Sequence, residues 1–425
     1  KGFNYFTRKE ETFSASNSLV ISTYQPKGTL VKVLFEPISK LVDSATYDIT
    51  AWSLPYVYGL QAYAVKDKIA TTPYVIKQST VIIPETSYGY LINYGSFEDA
   101  KLLAALLNAG IRVRFTEKDF SVNGKKFQRG TLIVLKKGNE SKMEAFAVAV
   151  QKFDAGVTAI STGFMESGND FGSDKTHYIN KPKVVLVTGK GTDASGAGEV
   201  WHLFDQQLDY PLTLINADDI GIISLKNIDV IIVPNGNYKF LNDKEASADL
   251  KTWVRQGGKI IAIENAVTQM ANNDWGIKLK KDDEEKDVKD KKEEPKPAYA
   301  DLKIFEESEH DGIKSNIAGA IYKLDLDNSH PLAFGYPNYF FTLKQDDKMY
   351  EFLKDGWNVG IFKKESKVAG FTGSKVKDKI KDGTSIGVQD YGNGSIVYLS
   401  DDPIFRSFWE NGKLLISNAV FFVGQ

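Results

Sequence analysis

The sequence predicts an α/β protein: a doubly wound, mostly parallel sheet preceded by a smaller α/β region. In residues 183–210, a β-branched run, a glycine-rich loop and a segment of helical periodicity follow one another. The same order of strand and helix repeats through the C-terminal half, which is typical of a parallel sheet. A chain of 425 residues also exceeds one ordinary core. We therefore expect two parts, residues 1–180 and 181–425.

Residues 1–180 are predicted to contain a connecting segment and a small α/β layer. Residues 88–92 form a strand pattern, and Ser96, which precedes two acidic residues, is typical of a helix N-cap. The Asn-Gly pair at 123–124 indicates a hairpin. Residues 141–153 then have helical spacing. A polar, glycine-containing stretch before Pro182 marks the expected boundary.

Residues 181–425 are predicted to alternate between strands and helices. We expect a glycine-rich loop at 190–198 and a helix that starts at Glu199. In residues 280–294 every residue but Val288 is charged, so residues 278–297 are expected to form a disordered insertion. The predicted strands are 184–187, 212–215, 230–233, 259–263 and 395–399, and the predicted helices are 199–208, 246–256 and 412–422.

Composition excludes several classes of function. The sequence contains no Cys, which excludes disulfides, thiolate metal sites and a Cys nucleophile. Its four His residues share no local metal motif, so we expect no metal or other cofactor in this chain. A net charge of −2 provides no basic field for nucleic acid, and no apolar run approaches the roughly 20 residues of a membrane span. Since the chain starts at Lys1, we expect a piece of a longer polypeptide.

Four polar residues are expected near the carboxyl ends of the parallel strands, where open α/β sheets bind ligands. These are Glu199, His202, Asn235 and Glu264. They are candidates for contacts in one cleft, although each could instead cap a helix or connect loops. Asp401 and Asp402 follow the last strand and resemble a metal-binding carboxylate pair, but capping of the turn at Pro403 is the more ordinary role.

Four sequence blocks resemble the region downstream of the catalytic domain in large bacterial zinc carboxypeptidases. They are LVKVLFEP at 30–37, DSATYDITAWSLPYVYGL at 43–60, GAGEVWHLFDQQLDYPLT at 196–213 and HPLAFGY at 330–336. The resemblance implies an exported, periplasmic, outer-membrane-associated or extracellular protein, with the peptidase domain of the same polypeptide as partner and peptide as a further ligand. Zinc would belong to that upstream domain, because no His here is followed by Glu three residues later.

From residue 182 onward the chain resembles a class I glutamine amidotransferase-like domain. Such domains carry a nucleophilic Cys on a tight strand-to-helix turn, but Glu264 or Asn265 stands there in this chain. We therefore expect no catalytic residues and a non-catalytic accessory role. One alternative is a stand-alone hydrolase that uses Glu264 with His202. In the accessory role, the aromatic stretch around Trp52 would be buried against the peptidase domain. Another alternative is a glycan- or peptide-binding module of the cell envelope, which predicts a row of exposed Tyr and Trp side chains.

Overall fold

The structure is a computed structural model that describes residues 1–14, 18–37, 50–75, 81–281 and 305–425. Its two main sheets have five strands and ten strands, and helices pack on both. The predicted α/β fold class is therefore confirmed. Residues 43–49 of the aromatic stretch and residues 282–297 of the predicted insertion lie outside the described residues.

The N-terminal residues form a small antiparallel sheet in the order β2-β1-β3. Its elements are β1 (Gly2–Asn4), β2 (Glu10–Glu11), α1 (Gly28–Leu34), α2 (Leu54–Val57) and β3 (Tyr63–Ala64). Tyr56 is fully buried, whereas Trp52 is 39% and Tyr58 50% exposed. The aromatic stretch therefore contributes both to a core and to the surface.

A five-stranded antiparallel sheet follows, in the order β10-β5-β8-β4-β9. Helix α3 is capped as predicted, since the Ser96 hydroxyl accepts a hydrogen bond from the Asp99 amide at 3.3 Å. The elements are β4 (Gly89–Ile92), α3 (Phe97–Asn108), β5 (Arg114–Thr116), β6 (Phe120–Val122), β7 (Lys125–Phe127), β8 (Leu132–Leu135), α4 (Met143–Lys152), β9 (Val157–Ile160) and β10 (Thr176–Tyr178). Strands β6 and β7 form the hairpin expected from the Asn-Gly pair.

The larger sheet has a parallel half in the order β12-β11-β13-β14-β20. Its central strands are apolar and buried on both faces, as expected for a sheet covered by helices. The elements are β11 (Val184–Thr188), α5 (Ala194–His202), β12 (Leu212–Asn216), β13 (Val230–Val233), α6 (Lys239–Asn242), α7 (Lys244–Arg255), β14 (Lys259–Ile263) and α8 (Asn265–Asn272). This order is one of the two common doubly wound orders.

The antiparallel half continues from β20 in the order β20-β19-β17-β15-β16, and β18 pairs with β15. Its elements are α9 (Ser308–Lys314), β15 (Ala320–Leu326), β16 (Tyr339–Lys344), β17 (Trp357–Phe362), β18 (Lys367–Ala369), β19 (Gly383–Tyr391), β20 (Gly394–Leu399) and α10 (Lys413–Phe421). Strand β20 is parallel to β14 on one side and antiparallel to β19 on the other, so the larger sheet is mixed.

Helices cover the parallel strands on both faces. Alternate residues of β11, such as Val184 and Leu186, pack with α5 and α10, whereas Val185 and Val187 pack with α6, α7 and α8. Helix α3 joins the core on the α5 side, so the five-stranded unit and the larger sheet share buried apolar side chains. Among the described helices, none is both long enough and apolar enough to cross a membrane.

Two predicted boundaries differ from the structure. Helix α5 begins at Ala194 rather than at Glu199, because the Asp193 carboxylate caps it by accepting a hydrogen bond from the Gly196 amide at 2.9 Å. The second half of the predicted helix, Leu203–Leu208, is a π-helix. The predicted insertion at 278–297 starts too early, because the Lys280 amide still donates a hydrogen bond to the Met349 carbonyl at 2.8 Å.

Candidate functional site

A cavity of about 720 Å³ lies at the carboxyl ends of the parallel strands. Strands β11, β13, β14 and β20 each contribute the residues that follow them, as the strand order predicts for a ligand site. The segment that follows β16 also lines the cavity. The lining residues are Gly191, Thr192, Asp193, Ser195, Gly196, Glu199, Asn235, Gly236, Glu264, Asn265, Leu343, Gln345, Asp346, Lys348, Ser400, Asp401, Asp402 and Phe405.

Two loops meet at the point where the strand order reverses, between β11 and β13. The Asn237 amide donates to the Gly191 carbonyl at 2.7 Å, and the Asp193 amide donates to the Asn235 carbonyl at 2.9 Å. Gly191 has φ +87°, and a Cβ there would lie 2.3 Å from the Asn237 carbonyl oxygen. Only glycine allows this close approach. The loop is therefore a fixed wall of the cavity.

Glu264 occupies a sharp turn between β14 and α8. Its backbone has φ 52° and ψ −116°, a conformation that residues other than glycine rarely adopt. Hydrogen bonds hold the turn on both sides: the Glu264 amide donates to the Leu399 carbonyl at 2.8 Å, and the Val267 amide donates to the Glu264 carbonyl at 2.9 Å. The side chain makes no capping bond to α8 and lines the cavity.

The environment of Glu264 favours its uncharged form. Burial raises the pKa of Glu264 to about 8, and the negative charges of Asp402 and Asp401 add to the effect. At neutral pH most molecules therefore carry a protonated carboxyl group at this turn. Such a group can donate one hydrogen bond and accept others.

Glu199 and Asp402 form a buried carboxyl pair beside Glu264. Glu199 accepts from the Arg406 amide at 2.6 Å through Oε1, and Asp402 accepts from the Ile404 amide at 2.9 Å through Oδ1. The two carboxyl groups also hydrogen-bond to each other, which requires a proton between them. Burial raises the pKa of both groups, and the bond to Glu199 further raises the pKa of Asp402.

A buried lysine lies behind the cavity wall. Lys344 makes an ion pair with Asp401 at 3.0 Å and a second one with Asp346. Burial alone would lower the pKa of Lys344, but the two carboxylates outweigh it, and the pKa is raised. Asp401 also accepts hydrogen bonds from the hydroxyls of Thr342 and Ser385, both at 3.0 Å. These contacts fix the antiparallel half of the sheet against the end of β20.

The structure brings together three of the four sequence-predicted residues. Glu199, Asn235 and Glu264 line the cavity, and Asn235 Oδ1 accepts a hydrogen bond from the Asn265 amide at 3.4 Å. His202 does not line the cavity. It lies one turn beyond Glu199 on α5, and its Nδ1 is buried with no hydrogen-bond partner among the described residues. A pairing of Glu264 with His202 therefore has no support in this arrangement.

No family model matches the sequence, and no curated protein matches it. Among solved structures, the chain is similar to a ThuA-like protein from Bacteroides uniformis, with 14% identity, 56% of this chain and 89% of that chain covered, and a TM-score of 0.36. It is also similar to a glutamine amidotransferase from Thermotoga maritima, with 7% identity, 57% and 97% coverage, and a TM-score of 0.34. The fold class follows from the strand order of the larger sheet.

Sequence analysis did not place all of the acidic groups in the cleft. The sequence identifies Asp401 and Asp402 only as a strand-end pair, and the predicted capping role is confirmed for Asp402, whose Oδ1 accepts a hydrogen bond from the Ile404 amide. Within the described residues, no group of three or more His, Asp or Glu side chains is arranged to hold a metal ion. Asp346 and Lys348 reach the cleft through the antiparallel strands, for which the sequence offered no local signal.

Proposed function

We propose that this chain is a non-catalytic accessory region whose strand-end cleft binds a ligand for the polypeptide to which it belongs. One observation carries the proposal: the strained turn at the cleft places Glu264 in a buried, acidic environment, which raises its pKa to about 8 and favours the protonated form. A protonated carboxyl is not a nucleophile, and activation would require a neighbouring base. The lining residues include no His. The cleft is therefore suited to polar recognition.

The resemblance to the downstream region of zinc carboxypeptidases supports a specific setting for this role. We propose an exported protein in which the peptidase domain of the same polypeptide is the partner and peptide is the ligand. In this setting zinc belongs to the upstream domain. The matching block at residues 196–213 includes most of α5, and therefore Glu199 at the cleft. The resemblance thus extends to one wall of the cavity.

A second candidate function is a hydrolase that uses Glu264 as a general acid. A carboxyl group with a pKa of about 8 can give up a proton near neutral pH, which is what general acid catalysis requires. This function would need a separate base or nucleophile. The acidic groups nearest to that role, Glu199 and Asp402, are engaged with each other.

A combined binding and turnover experiment separates the two functions. The purified chain is titrated calorimetrically with a panel of free tripeptides, tripeptide amides and simple sugars, and the same mixtures are analysed for cleavage by chromatography. We expect binding of at least one compound without cleavage, and at least tenfold weaker binding by Glu264→Gln. Glu98→Gln, at an exposed position of α3, serves as the matched control. Cleavage that Glu264→Gln abolishes would establish the hydrolase instead, and absence of any binding would refute the binding role.

A further inference from the structure

We propose that two copies of this chain associate through strand β12, with the two strands antiparallel about a two-fold axis at Leu214. This contact joins the two ten-stranded sheets edge to edge into one continuous sheet. The β12 residues, Leu212–Asn216, do not line the cleft. The surface is therefore separate from the ligand site and goes beyond the proposed function.

Strand β12 is an open edge of the larger sheet. It pairs with β11 over its whole length, Leu212–Asn216. In the part of the chain that the structure describes, only β11 hydrogen-bonds to the β12 backbone. Leu214 is 52% exposed, and Thr213 and Asn216 are exposed as well. The outer side of β12 therefore presents the unpaired N–H and C=O groups of a free strand edge.

Two other strand edges are covered by residues of this chain. At the opposite end of the larger sheet, the Phe341 carbonyl of β16 accepts a hydrogen bond from the Trp409 indole at 3.0 Å. At the edge of the five-stranded sheet, the Ala159 carbonyl of β9 accepts a hydrogen bond from the Asn123 side chain at 3.4 Å. Five of the six β16 residues are buried, whereas no residue of β12 is. The edge of β12 has no comparable cover among the described residues.

The sequence of β12 lacks the features that usually keep a strand edge from pairing, which are charged side chains, Pro and bulges. Residues 210–217, YPLTLINA, carry no charge. The pairing with β11 runs without a bulge, and Pro211 precedes the first residue of the strand. The Thr and Ile side chains of β12 also favour an extended backbone. A further strand can therefore add to this edge.

The side chains of β12 match those of a second copy. With the axis at Leu214, that residue faces its own counterpart. Thr213 then faces Ile215 of the second copy, and Leu212 faces Asn216 in the same way. Directly opposed residues of an antiparallel pair lie on the same face of the sheet. The two leucines, each 52% exposed in the single chain, therefore cover each other, and one patch serves both copies as a two-fold contact requires.

A second copy suits this short edge better than a flexible peptide does. A strand of five residues provides few backbone hydrogen bonds, and a free peptide loses conformational entropy when it forms them. In a second copy, β12 is already held extended by its pairing with β11. Antiparallel copies direct the carboxyl ends of their parallel strands in opposite directions. Each cleft therefore lies at its own end of the joined sheet, and both stay open.

Sedimentation velocity tests the association. Because the contact is small, association is expected to be weak, and the protein concentration is varied over about 1–300 µM. We expect a shift with concentration from the 47.3 kDa chain to a species of about 95 kDa, twice that mass. Asp209 of one copy and Asp218 of the other lie at the same end of the contact, so association should tighten as salt screens their repulsion. A species that keeps the mass of one chain over the whole range would overturn the proposal.

Charge-swap variants at Leu214 test the surface and the register together. Leu214→Lys places two lysines opposite each other and should weaken dimerisation at least about tenfold, and Leu214→Glu should do the same with two carboxylates. An equimolar mixture of the two variants should restore a mixed dimer, because Lys then faces Glu across the axis. Val148→Lys, at a 60% exposed position of α4, is the matched control and should dimerise like wild type.

The outcomes separate the surface, the register and the ligand site. Circular dichroism checks that each variant is folded. Dimers that Leu214→Lys leaves intact would overturn the assignment to β12, and a mixture that fails to pair would overturn the axis at Leu214. Because both clefts stay open in the dimer, the titration of Glu264 should be the same in Leu214→Lys and in wild type, so this test is independent of the ligand-binding role.

Discussion

Replacing Glu264 with Gln removes one titrating group from the cleft while keeping the size and hydrogen-bonding capacity of the side chain. In the folded protein the pKa of Glu264 is raised from 4.5 to about 8. A carboxyl group whose folded-state pKa is raised stabilises the fold fully at pH values below the unfolded pKa. That contribution is lost as the pH rises toward the folded pKa. The wild-type protein should therefore lose stability between about pH 4.5 and pH 8 through this group, and Glu264→Gln should not.

The size of the effect follows from the pKa difference. At about 1.4 kcal/mol per pH unit, a rise from 4.5 to about 8 corresponds to at most about 5 kcal/mol. Because Glu264 is only half-buried, solvent screens part of this interaction, and we expect about 2–3 kcal/mol. Other groups that titrate in this range are present in both proteins, so most of their contribution cancels in the difference.

Urea unfolding at a series of pH values measures this difference. The free energy of unfolding of wild type, minus that of Glu264→Gln, should fall by about 2–3 kcal/mol between pH 4.5 and pH 8.5. The exposed variant Glu98→Gln should show no such change relative to wild type. A difference that stays constant with pH would refute the assignment of a protonated Glu264 to the folded cleft.

Four further substitutions test the cleft and the elements around it. Gly191→Ala should destabilise the fold by about 2–4 kcal/mol in urea unfolding, because its Cβ meets a carbonyl oxygen at 2.3 Å and its φ is positive. Gly198→Ala in α5, where a Cβ has open space, should be neutral or stabilising by about 0.5–1 kcal/mol. Lys344→Met should cost about 3–5 kcal/mol because it leaves Asp401 buried without its cation, and an unchanged unfolding midpoint would contradict this. Asp402→Asn can still donate a hydrogen bond to Glu199 but does not titrate, so its melting temperature should fall less than that of wild type as the pH rises above about 4, the ordinary pKa of Asp.

Local sequence patterns were sufficient to predict the parallel half of the large sheet and the position of its cleft. The apolar run in β13 and the polar residues directly after it, including Asn235, have the pattern of a buried strand followed by a loop. The same reasoning located Glu264 between β14 and α8. These predictions succeeded because each depends on neighbouring residues and on the rule that parallel strands end at one edge.

The start of α5 was predicted less well for a local reason. Residues 194–198 have the sequence ASGAG, and two glycines in five residues favour a loop over a helix. The cap at Asp193 and the packing of α5 on the sheet outweigh that preference. The cap residue was visible in the sequence, and its signal was weaker than that of the glycines.

The antiparallel half could not be predicted from periodicity. Lys344 and Asp346 approach the end of β20 only because strands that are far apart in the sequence pair in a specific order. Local hydrophobic patterns contain no information about that order. The protonation of Glu264 was unpredictable for the same reason, since its pKa depends on burial and on Asp401 and Asp402, which follow it by more than a hundred residues.

The most direct test of a binding cleft built around a protonated carboxyl is the titration of Glu264 itself. The side-chain carboxyl carbons of Glu are labelled with ¹³C, and the signal that is absent from Glu264→Gln is followed by NMR from pH 4 to pH 10. We predict a midpoint at about pH 8. A midpoint near the ordinary value of about 4.3 would mean that the carboxylate is ionised at neutral pH, and it would contradict this account of the cleft.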